Sequence, residues 1–146
     1  MKEGRRMQDE ASVSQLLTRS THIAVVGAKD KPGHPVDGVG RYLIRAGYTI
    51  FPVHPKRRSV WGLTAYPTLL DIPEPIHIVD LFRAPEYCPD HAREVLQLPV
   101  WPLLFWMQEG ISSQEVHTIL AETPVRIVED HCLLKFHKRV SESGHA

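Results

Sequence analysis

His22-Ile23-Ala24-Val25-Val26-Gly27 is the stretch that decides the fold. Its apolar residues predict a buried strand, and its glycine opens a loop from Ala28 to Pro35 that leads into a helix. This arrangement is typical of phosphate sites in α/β domains, because backbone N–H groups at a helix start point towards the anion. The GxGxxG motif of dinucleotide-binding domains is missing here, so the loop also fits an ordinary turn between strand and helix.

The second predicted strand, Tyr48 to Val53, ends in the basic segment His54-Pro55-Lys56-Arg57-Arg58. In an NAD-binding domain this position carries an acidic residue that binds the ribose hydroxyls. Positive charge indicates instead an additional phosphate on the ribose. We expect Lys56 to bind that phosphate and Pro55 to offer an apolar surface to a base, while the two arginines form a solvated pair.

Strands that alternate with helices predict a parallel sheet with right-handed crossovers. The fold class is therefore α/β, a Rossmann-like doubly wound parallel sheet in three layers, α/β/α. We expect residues 1–20 to form a tail and a short helix, residues 21–140 the domain, and residues 141–146 a disordered tail. The other predicted elements are strands over Trp61–Tyr66, Ile76–Phe82, Val100–Met107 and Val125–Val128, helices over Asp9–Arg19, Val36–Ala46 and Pro85 to about Leu98, a helix to Glu122 that starts within the capping segment Ser112–Glu115, and a helix or strand over Leu133–Val140.

Composition excludes several classes of protein. The 17 basic and 17 acidic residues cancel, so no nucleic-acid or anionic-membrane partner is indicated. No apolar run reaches the roughly 18 residues of a membrane-spanning helix. Only two cysteines occur, without a CxxC pair, which suggests a cytoplasmic protein without a disulfide framework.

Three loops at one edge of the predicted sheet carry candidate ligand contacts. After the first strand, Gly27 permits close approach of a ligand, Lys29 adds charge, and the amides from Ala28 to Asp30 are candidate phosphate donors. After the third, Phe82 is either a surface for a base or a core residue, and Arg83 is either a phosphate contact or a surface cation. After the fourth, Gln108 or Glu109 is able to bind a polar head group.

The sequence gives less support to metal binding or catalysis. Glu129-Asp130-His131-Cys132 contains metal-ligand types, but no second Cys or His follows at the usual spacing, so we expect no metal and a buried or site-facing Cys132. The GxSxG nucleophile elbow and the Gly-Lys-Ser/Thr of a P-loop are both missing. We therefore assign no catalytic residue.

The sequence resembles the small stand-alone CoA-binding proteins, which are similar to the CoA-binding domain of the succinyl-CoA synthetase α subunit. The resemblance extends from about Thr21 to Lys138. It rests on an ordered set of segments: IAVVGA at 23–28, YL at 42–43, GY at 47–48, PVHPK at 52–56, YPTL at 66–69, IVDLFRAPE at 78–86, WMQEG at 106–110 and DHC at 130–132.

The resemblance implies that the domain binds coenzyme A through its ADP-3′-phosphate part. Carried over by position, the implied contacts are the diphosphate at Gly27, Ala28 and Lys29, the adenosine and its phosphate at Val53, His54, Pro55 and Lys56, the groove at Phe82, Arg83 and Pro85, and the pantetheine side at Gln108. Three positions depart from the family's usual residues: Lys29 replaces a small hydroxyl residue, His54 an asparagine and His131 an arginine.

The resemblance favours a CoA or acyl-CoA binding module over an enzyme, because the ligase relatives also need a phosphorylated histidine in another domain and a nucleotide-grasp subunit. A homodimer or an unknown protein partner is compatible with such a module. An NADP-binding oxidoreductase is an alternative that the basic segment alone would permit. A regulatory interaction module with a vestigial nucleotide pocket is the other.

Overall fold

The computed structural model describes residues 9–142, and the predicted tail segments 1–8 and 143–146 lie outside them. The elements in chain order are α1 (Glu10–Thr18), β1 (His22–Val26), α2 (Pro35–Arg45), β2 (Thr49–Val53), β3 (Ser59–Val60), β4 (Leu63–Thr64), β5 (Ile78–Leu81), α3 (Cys88–Leu96), β6 (Leu104–Met107), α4 (Gln114–Ile119), β7 (Arg126–Val128) and α5 (Leu133–Glu142).

Five parallel strands form the sheet, in the order β2-β1-β5-β6-β7. The chain builds outward from β1 to β2, crosses back to β5, and then continues in the other direction to β6 and β7. The point where the direction reverses lies between β1 and β5, and ligands of doubly wound sheets bind at such a switch point. The predicted Rossmann-like α/β fold is confirmed.

Helices cover both faces of the sheet, which explains why the central strands are nearly continuous apolar runs. Helices α1, α2 and α5 pack on one face, where Val25, Ile78 and Trp106 of the sheet belong to the same buried cluster. Helices α3 and α4 pack on the other face, against Val79 and Phe105. These are the three layers that the sequence predicts.

The predicted strand Val100–Met107 begins only at Leu104, so its first half is wrong. Val100 and Trp101 are exposed, and Pro102 has no N–H with which to join a ladder. The N–H groups of Leu103 and Leu104 both donate to the carbonyl of His77, and β6 starts there.

The prediction of a strand over Trp61–Tyr66 is correct only in part. Leu63–Thr64 pairs antiparallel with Ser59–Val60, a strand that the sequence did not indicate. The hairpin turns at Trp61 and Gly62, both with positive φ. Tyr66 makes a single parallel bridge with Val53 and extends the sheet beyond β2.

The helix starts follow the local sequence closely. Pro85–Tyr87 forms a 3₁₀ turn before α3, the irregular start that Pro89 in the first turn predicts. Ser113 caps α4, its hydroxyl accepting from the Val116 N–H at 3.3 Å. The undecided segment Leu133–Val140 is helical and continues to Glu142, two residues into the segment that we expected to be a disordered tail.

Within residues 9–142, no helix is long and apolar enough to span a membrane.

Candidate functional site

A cavity of about 430 Å³ lies at the carboxyl ends of β1, β5 and β6. The switch point of the sheet is therefore also the place where the surface opens. The cavity continues to the loop that follows β7. Its walls are formed by Gly27, Lys29, His34, Pro35, Val36, Val39, Phe82, Arg83, Ala84, Gln108, Glu109, Ile111 and Cys132.

The structure brings part of the predicted site together in this cavity. The predicted residues that line it are Gly27, Lys29, Phe82, Arg83 and Gln108. Ala28 and Val53 are buried in the core instead, and Pro55, Lys56 and Pro85 are exposed outside the cavity wall. His54 is half-buried and also lies outside the wall.

Two of the amides expected to hold a phosphate are already occupied. The N–H groups of Gly27 and Ala28 both donate to the carbonyl of Val53, at 3.0 and 3.2 Å. These bonds tie the loop after β1 to the end of β2. The N–H of Lys29, the next residue, has no hydrogen-bond partner among residues 9–142 and is free to bind a ligand.

The basic segment is held in its turn by His54. Its Nδ1 atom accepts hydrogen bonds from the N–H groups of Lys56 at 3.0 Å and Arg57 at 3.2 Å. An asparagine side-chain oxygen makes the same kind of bond in an Asx turn, so the histidine supplies the acceptor that an asparagine would supply at this position.

Positive charge from three loops converges on the His54 ring. Burial lowers the pKa of His54, and the charges of Arg57, Lys29, Arg83 and Lys56 lower it further. Lys29 follows β1, Lys56 and Arg57 follow β2, and Arg83 follows β5. Four cations close enough to lower the pKa of one histidine mark a local positive potential, which is suited to an anionic ligand.

Arg57 is not the solvated cation that the sequence predicts. Its Nη1 atom lies 2.7 Å from Oδ1 of Asp30, while the other Asp30 oxygen accepts from the Trp61 N–H at 3.1 Å. The Trp61 N–H is the largest cause, and the Arg57 guanidinium a further one, of the lowered pKa of Asp30. This carboxylate joins the loop after β1 to the basic segment and to the hairpin.

Arg83 is positioned by its neighbours. Its guanidinium carbon lies 4.4 Å from the centroid of the Tyr87 ring, a cation–π contact, and its Nη1 atom is 3.5 Å from Nε2 of His91. Both contacts come from the segment after β5, so this segment fixes its own arginine on the wall of the cavity.

The other end of the cavity is less charged. Gln108, 6% exposed, accepts the N–H of Leu133 through its Oε1 atom at 3.2 Å. Only the oxygen of a side-chain amide accepts a hydrogen bond from a backbone N–H, so Oε1 is the atom of the Gln108 amide that faces Leu133. The amide nitrogen, Nε2, points away from Leu133 and has no hydrogen-bond partner in the described part of the chain. Glu109 pairs with Lys135 at 3.0 Å.

The sequence predicts that the N-terminus of the helix starting at Val36 helps to bind a diphosphate, but it assigns no side chain of α2 to the cavity wall. Pro35, the first residue of this helix, lines the cavity with Val36 and Val39. From the sequence, Val39 is interpreted as part of the buried helix face, Val36 as the start of the helix and Pro35 as part of the loop. Proline at a helix start is a signal that points to this position, because its ring suits the first helical residue.

Two further features limit the chemistry of the site. Among residues 9–142, no group of three or more His, Cys, Asp or Glu is arranged to hold a metal ion. Cys88 and Cys132 are both free thiols.

Known proteins match this chain over most of its length. Residues 21–138 match a family described as the CoA binding domain. The Bacillus subtilis (strain 168) protein YneT is 34% identical over 128 residues, which cover 88% of this chain and 93% of YneT. The solved structure of cell-free ID.343 from Thermus thermophilus has a TM-score of 0.84 and 38% identity, covering 91% of this chain and 99% of that one. Trans-feruloyl-CoA synthase FCS1 from an unknown prokaryotic organism is 27% identical over 140 residues, which cover 89% of this chain but 20% of the synthase.

Proposed function

Because the chain belongs to the CoA-binding domain family, we propose that it binds coenzyme A or an acyl-CoA, without catalysis of its own. The ADP-3′-phosphate part lies at the ends of β1 and β2, and the pantetheine arm follows the cavity towards β6 and β7. The observation that carries this proposal is the uneven distribution of charge along the carboxyl edge of the sheet. Cations lie at one end of this edge, and an apolar cavity lies beside them.

The charged end fits the phosphates of the ligand. Coenzyme A carries a diphosphate and a ribose 3′-phosphate, and positive charge around His54 comes from Lys29, Lys56 and Arg83, together with Arg57, which is also paired with Asp30. Lys29 and Arg83 also line the cavity, which suits contacts with the diphosphate at its mouth. Lys56 is exposed in the segment that follows β2, and we assign the 3′-phosphate to it.

The order of the strands supports an extended ligand. Four strand spacings of about 4.8 Å separate the loop after β2 from the loop after β7, or roughly 19 Å along the edge. A ligand that reaches from Lys56 to Cys132 must therefore extend along most of this edge. Pantetheine is uncharged, and Val36, Val39 and Phe82 give its arm apolar walls.

The family match does not favour either alternative that the sequence left open. An NADP-binding oxidoreductase would use the same basic segment, but the residues matched by the CoA-binding family cover both ends of the proposed site. A vestigial pocket would not need Arg83 to be held in place by Tyr87 and His91.

Isothermal titration calorimetry with coenzyme A, dephospho-CoA and NADP tests the proposal. We expect micromolar binding of coenzyme A and at least about tenfold weaker binding of dephospho-CoA, because a charge-assisted contact contributes roughly 1.5–3 kcal/mol. Lys56→Ala should remove this preference for the 3′-phosphate.

Arg58→Ala is the matched control. It removes the same charge from the same exposed segment, at a residue that is not among the four cations around His54. Equal affinity of the wild-type protein for coenzyme A and dephospho-CoA would remove the role of Lys56. Tighter binding of NADP than of coenzyme A would contradict the proposed function.

A further inference from the structure

We propose that Cys132 forms a mixed disulfide with the thiol of the pantetheine arm, by exchange with coenzyme A disulfide. The inference rests on the proposed function and adds a covalent, redox-dependent mode of binding to it. It begins from the position of Cys132 on the wall of the cavity, at the end opposite to the cluster of cations.

Gln108 gives independent evidence that this end of the cavity receives a ligand. Its side chain is more than nine-tenths buried, yet its amide nitrogen lacks a partner among residues 9–142, and it lines the same cavity as Cys132. Within residues 9–142 the fully buried side-chain atoms without a partner are those of Asp80, so the Gln108 nitrogen reaches the surface of the cavity, where a ligand carbonyl would accept its hydrogen bond. The last amide of pantetheine has its carbonyl only a few bonds from the thiol.

The surroundings of Cys132 suit a reacting sulfur. Its carbonyl accepts the Phe136 N–H at 3.0 Å, which makes Cys132 the residue that caps the N-terminus of α5. Backbone N–H groups at the start of this ten-residue helix point towards negative charge. Lys135, on the first turn of the helix, lies nearby, but its charge is paired with that of Glu109 at 3.0 Å.

Cys88 provides an internal contrast. It is completely buried, and its thiol lies 3.8 and 3.7 Å from the carbonyl oxygens of Arg83 and Ala84, to which it donates. Burial raises the pKa of the Cys88 thiol to about 11. Since the thiolate is the nucleophile in exchange reactions, Cys88 should stay unreactive under conditions in which Cys132 reacts.

The reaction needs no oxidant other than the disulfide itself. Cys132 loses its proton to solvent, and its thiolate attacks one sulfur of coenzyme A disulfide. The new bond joins Sγ of Cys132 to that sulfur while the original sulfur–sulfur bond breaks. One molecule of coenzyme A leaves as the thiolate, and the other remains attached to the protein.

Intact-mass spectrometry of the full chain after incubation with coenzyme A disulfide tests the inference. We expect one added coenzyme A, lost again on treatment with dithiothreitol. Peptide mapping of the wild-type adduct should locate it at Cys132, which does not depend on any variant folding. Cys132→Ser should form no adduct, and Cys88→Ala should form it normally.

The rate of reaction distinguishes exchange that depends on binding of the coenzyme A part from exchange that any disulfide would undergo. Glutathione disulfide lacks the phosphates, so we expect it to react at least about tenfold more slowly, the factor that one charge-assisted contact supplies. Adenosine 3′,5′-bisphosphate should slow the reaction with coenzyme A disulfide by occupying the charged end. Equal rates for the two disulfides, or an adduct at Cys88, would overturn the inference.

The calorimetry described above keeps the two proposals distinct. Reversible binding of coenzyme A by a protein that forms no adduct would overturn the mixed disulfide and leave the proposed function intact. If coenzyme A does not bind and coenzyme A disulfide reacts no faster than glutathione disulfide, both proposals fail.

Discussion

A Cβ atom on Gly27 would lie 2.6 Å from the carbonyl oxygen of Phe82. Real Cβ atoms do not approach a backbone oxygen so closely, and Gly27 also has a φ of +84°. The same Cβ would be 3.3 Å from Cδ of Arg83. A glycine is therefore required at this position because the loops after β1 and β5 pass close to each other, whether or not a ligand binds.

Gly27→Ala should lower the stability of the protein. The positive φ alone costs a non-glycine residue roughly 1–3 kcal/mol. The contact with Phe82 adds to this cost, because Phe82 directly follows β5 and its N–H donates to the carbonyl of Val26, so its backbone is tied to the sheet. Urea denaturation should show a lower midpoint with an unchanged slope.

Gly33→Ala is the control for this prediction. Gly33 has a φ of +92°, and its Cβ would meet no atom within 4 Å, so the substitution isolates the backbone cost. We expect Gly27→Ala to be the more destabilising of the two. Equal losses would mean that the loop after β5 moves aside freely.

The fold was predictable because each strand of the main sheet can be recognised from its own local sequence. An apolar run such as His22–Val26, buried on both faces, needs only its neighbours in sequence to be recognised. The hairpin at Ser59–Thr64 was not predictable in this way. Its strands have two residues each, and its turn places Trp61 at a φ of +55°, a conformation imposed by contacts with Asp30 and Asp37.

For the site, the sequence predicts only the edge of the sheet at which it lies. Parallel strands all end at one edge of a sheet, so the sequence was able to assign Lys29, Arg83 and Gln108 to one region. The sequence does not indicate that the carbonyl of Val53 occupies two amides of the loop after β1, or that Arg57 reaches Asp30. Both are long-range contacts that only the packed chain defines.

His54 offers a test of the turn that presents the basic segment. His54→Ala removes the acceptor for two backbone N–H groups, each of which contributes roughly 0.5–1.5 kcal/mol. We expect the affinity for coenzyme A, measured by calorimetry, to fall roughly fivefold or more. His54→Asn keeps an acceptor at this position and should retain most of the affinity. An equal loss in both variants would show that the imidazole itself contacts the ligand.

His77 makes the stability of the protein depend on pH. Its Nδ1 atom accepts the N–H groups of Thr21 at 3.0 Å and His22 at 3.1 Å, which requires an unprotonated nitrogen. Burial and the neighbouring His22 lower the pKa of His77. As pH falls below the unfolded value of about 6.5, the unfolded chain binds the proton first. The contribution to stability is therefore full above that pH and is lost as pH falls through the folded pKa.

His77→Asn should reduce this acid sensitivity, because an amide oxygen accepts the same bonds and does not titrate. We expect urea midpoints measured between pH 7 and pH 5 to fall less steeply than in the wild-type protein. Some slope should remain, since burial also lowers the pKa of His54 and of His137. Identical slopes in the two proteins would contradict the role of His77.

Asp80 is the least satisfied group in the core. It lies in the central strand β5, beside Val25 of β1 and Trp106 of β6, and is completely buried. Neither of its carboxyl oxygens has a hydrogen-bond partner among the described residues. Burial therefore raises the pKa of Asp80 well above its ordinary value, and the neutral acid is the form that fits this position.

Asp80→Asn should make the protein more stable than the wild type at neutral pH. Above the unfolded value of about 3.9, the unfolded wild-type chain releases a proton that the folded chain retains, so stability falls by up to about 1.4 kcal/mol per pH unit until the folded pKa is reached. Asparagine has nearly the same shape and does not titrate, which removes this loss and leaves the histidine contributions unchanged. The difference in the free energy of unfolding between the two proteins, measured in urea from pH 4 to pH 7, should therefore grow with pH. A constant difference would mean that a charged Asp80 is accommodated in the folded core.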